Sequence, residues 1–458
     1  MFKNLIGDRK FYKNLFAISL PIIAQQLITS SVQLVDNVMV GSLEESAIVS
    51  VSVVNQLYFI MMLITFGAIG GAGIYTAQYF GSKDFDKLKQ TFRFKVITAL
   101  LVFFISLVVF TVFGETLIGL FTDNPVSIEN GMSYLSIIRW GILPWVLTVA
   151  MANTFRDMGI TKPLMYISIV AIMTNTGLNY LLIFGKFGFP QLGIVGAAYA
   201  TVVARFIEFL LIFILLKKRG KLFDTKLTQL LKIDSVVLKS ILKMAFPLMI
   251  NELLWSTGQT MFMQAYSLRG ENALAALTIT GAISQLVFVT FGGVATGIAV
   301  MVGNTLGRNE LQIAKDNARK LIAFAVLFAM VMGLLLFGLS FYILDIYKVS
   351  VETRATAIFN IRVNALFIPV YSFNVAIYFT LRSGGDTKST LLMDSGYMWV
   401  ISVPIAYVMS RFTDWPVTIM FLLVQCLDIP KALFGMSRYR KGHWVKNLAK
   451  EPAVVQTI

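Results

Sequence analysis

Apolar runs of about twenty residues follow one another along almost the whole chain, separated by short polar stretches. A helix rising 1.5 Å per residue needs about 20 apolar residues to cross the hydrocarbon of a bilayer. Twelve runs qualify: residues 15–40, 47–80, 95–113, 133–155, 163–185, 194–216, 241–267, 274–303, 320–342, 357–380, 391–410 and 417–437. They predict an all-α polytopic membrane protein with twelve transmembrane helices. The second and eighth are long for one crossing, which implies tilt or projection past the bilayer. The first is too long for a signal-peptide core and ends in no small-residue cleavage pattern, so it is expected to be retained.

The polar stretches alternate in charge. Lys3, Arg9, Lys10 and Lys13 precede the first run, and Lys83, Lys87, Lys89, Arg93 and Lys95 follow the second. Lys217, Lys218, Arg219, Lys221, Lys226 and Lys232 follow the sixth; Arg308, Lys315, Arg319 and Lys320 follow the eighth. Arg438, Arg440, Lys441, Lys446 and Lys450 follow the twelfth. Residues 41–46 and 114–132 hold no Lys or Arg. The positive-inside rule then places both termini and every even-numbered exit in the cytoplasm, in a multi-pass protein of the cell membrane. Twelve crossings satisfy that parity.

Composition agrees and narrows the chemistry. Of 458 residues, 57% are hydrophobic and 14% charged, too little polar surface for a soluble domain. The net charge of +15 is spread over the loops, which argues against a nucleic-acid partner. One Cys (Cys426) excludes an internal disulfide. With one His (His443) beside it, a Cys/His metal site or nucleophile pair is not expected. "GGDTKST" at 384–390 lacks the spacing of a phosphate-binding loop. The expectation is a protein that is not an enzyme and needs no cofactor.

The two halves of the chain repeat each other. With Pro21 set against Pro247, an offset of 226, Gln33 meets Gln259, Ala47 meets Ala273 and Gly67 meets Gly293. Gly71 then meets Gly297, Gly81 meets Gly307, Lys89 meets Lys315 and Arg93 meets Arg319. "FRDMGITKP" (155–163) meets "LRSGGDTKS" (381–389). Each half has six spans, so both enter the membrane in the same direction, as in transporters built from parallel repeats. The implied domains are an N-lobe at 1–216, a basic cytoplasmic linker at 217–240, a C-lobe at 241–437 and a basic cytoplasmic tail at 438–458. Two related lobes suit alternating access to a carried solute.

Polar groups inside the spans mark candidate sites. Gln26, Thr29, Gln33, Asp36 and Asn37 form one stripe on the first span. Asn175 and Asn179, at i and i+4, face one way on the fifth, and Thr201 lies on the sixth. Their oxygens together with a carboxylate can hold Na⁺ or a proton. The competing reading is helix-to-helix glue, or a nearly solvated Asp36, which lies roughly 31 Å from Leu15 along an ideal helix. Glu252 on the seventh span faces Gln26 across the repeat, and Asp36 faces Phe262. Glu252 is a candidate to bind a cationic substrate or titrate, or else a structural acid. Arg205 with Glu208, and Asp428 with Lys431, are spaced to pair along one helix face. Arg139 and Arg362 can snorkel outward, and Asp394 lies near an interface. Gln33, Tyr58, Trp255, Met261 and Tyr371 are candidates to line an adaptable apolar cavity.

"LPIIAQQLITSSVQLVDNVMVG", "FRDMGITKP", "NTGLNYLLIFGKFGFPQLGIVGAAYAT" and "FPLMINELLWSTGQT", with the six-plus-six repeat, resemble the multidrug and toxic compound extrusion (MATE) family over roughly the whole chain. The resemblance implies a V-shaped pair of pseudo-symmetric six-helix bundles. It implies a monomer that exports cationic or amphipathic small molecules in antiport with H⁺ or Na⁺. The acid of the family's "VD" motif matches Asp36 as the coupling residue; Asn179 and Thr201 match the motifs on spans five and six. Family members with a C-lobe cation site use acids on helices seven and ten. Glu252 aligns loosely with the first, while Tyr371 and Asn374 stand where the second is expected. A flippase for a lipid-linked precursor is the alternative within the wider superfamily; it is expected to carry more bases within its spans.

Overall fold

The computed structural model describes residues 5–43, 45–220, 227–342 and 349–450. The side chains of Gln33, Leu34, Asn37, Glu45 and Leu227 lie outside those described. So do Lys3 of the N-terminal bases and Lys221 and Lys226 of the linker.

Twelve long helices account for the twelve runs. The N half holds α1 (Arg9–Gly41), α2 (Glu45–Ser82), α3 (Phe85–Val112), α4 (Pro125–Asp157), α5 (Lys162–Phe184) and α6 (Gly193–Lys218). The C half holds α7 (Ser235–Ser267), α8 (Glu271–Gly307), α9 (Leu311–Leu339), α10 (Val351–Ser383), α11 (Thr387–Phe412) and α12 (Val417–Lys441). Eleven are apolar enough along an 18-residue window to cross a membrane; α7 is the twelfth. Asn251, Glu252, Ser256, Thr257, Gln259 and Thr260 lower its hydropathy. Among the described residues there is no strand.

The helices outrun the apolar segments, and this corrects the reading of one charge. Between α2 and α3 only Lys83 and Asp84 remain as a turn, where Asp84 caps α3 by accepting from the Lys87 N–H at 3.1 Å. Lys95, expected among the solvated loop bases, instead lies inside α3 with its side chain fully buried. Its Nζ sits 2.6 Å from Asp157 Oδ2 and 3.3 Å from Thr154 Oγ1. Gly73 leaves the room: a Cβ there would stand 2.9 Å from the Asp157 carboxylate.

The repeat is visible in the backbone as well as the sequence. Lys83 and Asn309, 226 apart, both adopt left-handed φ, at 62° and 65°. Gly159 and Gly385, 226 apart, both have φ of 81°, a conformation glycine adopts without Cβ strain. Close approaches repeat too. Gly81 packs on the backbone of Asn304 and Gly307 on that of Gln78, each residue standing 226 from its counterpart. Gly71 packs on Ala245, and its repeat Gly297 on Ser19, again 226 apart.

These approaches explain how the chain divides into two compact units. One comprises residues 1–23, 77–83 and 246–458; the other comprises 24–76 and 84–245. Each unit is one half of the sequence except for a reciprocal exchange at the starts of α1 and α7 and for the end of α2, residues 77–83, which joins the C half where Gly81 meets Asn304 and Gln78 meets Gly307. The first part of α1 joins the C half by packing Ser19 on Gly293 and Gly297, and the start of α7 joins the N half by packing Ala245 on Gly71. The exchange falls beside Pro21 in α1 and Pro247 in α7, where proline removes a backbone hydrogen bond from a helix that continues through it.

Three helices are irregular. A 3₁₀ turn, Arg139–Gly141, interrupts α4. Two π-helical turns, Leu392–Gly396 and Met398–Ser402, lie within α11. α12 breaks at Leu427, ahead of Pro430. Of the expected polar tail, residues 442–450 fold back into their unit. Trp444 is 1% exposed and stacks on Tyr439 at 5.4 Å, and Leu448 N–H donates to Gln78 Oε1 at 2.7 Å.

Candidate functional site

Asp36 stands one and a half turns before the end of α1, the outer end in the predicted topology. Asn179 Nδ2 donates to Asp36 Oδ1 at 2.9 Å. The same nitrogen lies 3.4 Å from Asn175 Oδ1, and Asn175 Nδ2 donates to Thr201 Oγ1 at 3.3 Å. All four polar positions expected to meet in the N half therefore do so, across α1, α5 and α6. The i, i+4 spacing on α5 puts both amides on one face, so that Asn179 meets Asp36 and Asn175 links Asn179 to Thr201. Asn179 is 3% exposed, and its Oδ1 has no hydrogen-bond partner among the described residues. That oxygen lies beside the half-exposed carboxylate of Asp36. The oxygens of Asp36, Asn175, Asn179 and Thr201 are hard donors of the kind that suits an alkali cation or a shared proton.

Tyr134 on α4 also lies near this group. It is 5% exposed and within electrostatic reach of Asp36. Nothing in the sequence separates it from other aromatic residues of apolar runs.

The cavity candidates fall in different surroundings. Tyr58 packs in the N-half core, stacked on Phe110 at 5.7 Å, with its hydroxyl donating to Ile138 O at 2.7 Å. Trp255 is 37% exposed, and Met261 is half-buried. Gln33 has its side chain outside the described residues.

In the C half, Tyr371 is 37% exposed and packs against Phe288 at 4.8 Å. Asn374, one turn along α10, is buried and donates to Asp428 O at 3.2 Å. Glu252 on α7 is half-buried and lies within electrostatic reach of Arg382 and Asp394. These residues flank a group that single-helix spacing did not reveal. Lys431 does not pair with Asp428 on its own helix; its Nζ donates to Asp394 Oδ1 on α11 at 2.9 Å. Asn251, 2% exposed, donates to Asp394 Oδ2 at 3.2 Å. Arg205 and Glu208 do pair as their spacing indicates, at 3.4 Å. Arg139 and Arg362 reach hydroxyls, Thr111 Oγ1 and Ser340 Oγ, each at 3.2 Å.

The MatE family model matches residues 21–181 and 247–408, one match on each half of the repeat. The chain belongs to the MatE family. Curated relatives agree along most of its length. The Bacillus subtilis protein named "Probable multidrug resistance protein YoeA" is 27% identical, over 86% of each chain. The Thermotoga maritima protein named "Probable multidrug resistance protein NorM" is 24% identical, over 90% of this chain and 89% of its own. Among solved structures, an outward-facing multidrug resistance MATE family transporter of the MOP superfamily superposes with a TM-score of 0.84 at 19% identity, over 96% of this chain and 98% of that one. A MOP superfamily transporter from Pyrococcus furiosus, whose binding pocket is described as having reverse polarity, gives 0.83 at 18%, over 96% and 97%. At these identities the structures speak for the fold. The MatE fold thus holds this all-α, twelve-helix chain in two related halves, as the repeat predicts.

Proposed function

We propose that this MatE-family protein is a secondary efflux transporter that exports amphipathic or cationic small molecules in exchange for H⁺ or Na⁺, with Asp36 as the exchange carboxylate. The observation that carries the reading is the Asp36–Asn179–Asn175–Thr201 chain of polar groups, in which the buried Asn179 Oδ1 is left without a donor. A cation or proton arriving at Asp36 finds oxygen ligands already in place, at little cost in reorganisation. The relatives named as multidrug resistance proteins support the substrate class. They lend no support to the flippase alternative.

In this reading the lobes at 1–216 and 241–437, joined by the basic linker at 217–240, alternate access across the cell membrane. The protein acts as a monomer with both termini and the tail at 438–458 in the cytoplasm. Loading of Asp36 and retention of substrate are mutually unfavourable, so the ion gradient drives release.

The test uses proteoliposomes with an imposed H⁺ or Na⁺ gradient and a cationic dye as cargo. The parent protein is expected to expel dye under at least one gradient, and Asp36→Asn to lose that drive. Undiminished gradient-driven efflux from Asp36→Asn overturns the assignment.

A further inference from the structure

The repeat sets three polar residues of the C half against three of the N half: Asn251 against Gln25, Asp394 against Ser168 and Lys431 against Arg205, each 226 apart. Both trios are linked. In the N half, Gln25 Nε2 donates to Ser168 Oγ at 2.7 Å, Ser168 Oγ donates to Glu208 Oε1 at 3.0 Å, and Glu208 pairs with Arg205. In the C half, Asn251 and Lys431 both donate to Asp394. The base stays on the sixth helix of each half. The acid that neutralises it has moved from α6 to α11; where Glu208 would repeat stands Phe434.

Two further features single out the C-half trio. First, it sits where both helices lose regularity. Asp394 lies inside the π-helical turn Leu392–Gly396, and Asp428 opens the second piece of α12. Such π turns re-aim side chains and concentrate at functional sites. Second, the three carboxylates Glu252, Asp394 and Asp428 outnumber the two cations, Lys431 and, beside Glu252, Arg382. Glu252 and Asp428 both lie within electrostatic reach of Asp394, and neither carboxylate has a hydrogen bond or ion pair among the described residues. Asp394 itself is firmly oriented. Asn251 holds its second oxygen, and Asn251 Oδ1 in turn accepts from Ser395 Oγ at 2.8 Å and Ser395 N–H at 3.3 Å. Its cation, by contrast, arrives on a flexible four-carbon stem.

We propose that Lys431 is a tethered cation. Its ammonium holds the place on Asp394 that an exchangeable cation would otherwise take, so Asp394 carries no transported ion and its site is shaped for a primary ammonium. The consequence for transport rests on the cation-exchange reading of Asp36; the chemistry of the site does not.

Full-length parent protein, Lys431→Ala and Lys431→Ala/Asp394→Asn in lipid nanodiscs are melted against rising n-propylammonium, with tetramethylammonium, which has no N–H, as control. Lys431→Ala is expected to melt below the parent and to recover saturably with n-propylammonium alone. The parent and the double variant are expected not to respond. In proteoliposomes, the number of cations exchanged per substrate, read from the reversal potential, is expected to rise in Lys431→Ala and to return to the parental value in the double variant. Absence of an amine response overturns the proposal. An amine response without a raised ion count also overturns it, leaving a structural tie. Lys431→Arg keeps the charge and is expected to keep the parental count even if Lys431→Ala does not assemble; a raised count there is equally fatal. The amine titration uses no gradient. Failure of ion exchange in the parent therefore counts against Asp36 and leaves the titration to decide Lys431.

Discussion

The two halves treat their intramembrane carboxylates in opposite ways. In the N half, the one partner Asp36 has among the described residues is a neutral amide, Asn179, whose own buried Oδ1 has no hydrogen-bond partner among them. In the C half, Asp394 has both oxygens occupied, one by the chain's own ammonium. A second difference reverses the pattern. The N half buries the Lys95–Asp157 pair beside Gly73, whereas the repeat positions in the C half are Leu321, Ser383 and Ala299. There Leu321 is fully buried, and Ser383 Oγ reaches the Ala299 carbonyl at 3.4 Å. What both halves keep is backbone geometry: the left-handed turns at Lys83 and Asn309 and at Gly159 and Gly385, and the crowded crossings at Gly81 and Gly307. Duplication has preserved the devices that let helices turn and approach, and has left side-chain charge free to diverge. A charge that differs between the halves is therefore not required by the fold, and is a better candidate for function than one that repeats.

The comparison breaks most visibly at Asp36, where Asn is expected to abolish gradient-driven efflux while the protein still assembles. The next largest effect is on stability. Removing one partner of a buried ion pair costs about 3–5 kcal/mol, because the other charge is left uncompensated. Lys95→Met strands Asp157 and is expected to cost about that much in equilibrium unfolding from mixed micelles. Importing the C-half version, Gly73→Ala/Lys95→Leu/Asp157→Ser, is expected to recover most of the loss. If the triple variant unfolds as easily as Lys95→Met, the N-half pair has a role that the apolar version cannot replace.

Single-helix logic went far in this chain and stopped at contacts between helices. Twelve apolar runs gave twelve helices, and the i, i+4 spacing of Asn175 and Asn179 put them on one face, with Asn179 on Asp36. Helix ends were less legible, because hydropathy marks where lipid stops and not where hydrogen bonding stops. That is why Lys95 read as a loop base. Lys431 misled for a related reason. Asp428 three residues away is the neighbour that helical periodicity supplies, yet the partner is 37 residues away on α11, beyond what spacing encodes. Trp444 was hidden in a basic segment whose composition indicates solvent.

A smaller effect sharpens the N-half site. Asn179→Ala removes the one hydrogen bond to Asp36 among the described residues, and a hydrogen bond to a charged group contributes about 1.5–3 kcal/mol. The ion concentration needed for half-maximal efflux is expected to shift by about tenfold or more, since each 1.4 kcal/mol is a factor of ten. Asn374→Ala, on the C-half amide that holds only a backbone carbonyl, is expected to leave that concentration unchanged. Equal shifts in the two variants would mean that the amides act on the fold and not on the ion.

The smallest expected effects separate two tyrosines that sequence alone placed in one class. Tyr58 is packed in the N-half core with its hydroxyl on Ile138 O, so Tyr58→Phe is expected to cost about 1 kcal/mol of stability and leave the range of exported dyes unchanged. Tyr371 is 37% exposed beside Phe288, and its hydroxyl lies within electrostatic reach of Asp394, Lys431 and Asp428. Tyr371→Phe is expected to leave stability unchanged and alter the relative efflux of dyes that differ in charge. Melting curves and a dye panel on the same two preparations read both outcomes. A dye-range change in Tyr58→Phe would move the N-half lining into what the structure assigns to the core. An unchanged panel in Tyr371→Phe would remove the aromatic face of the C-half cluster from substrate contact and leave its charges acting only within the protein.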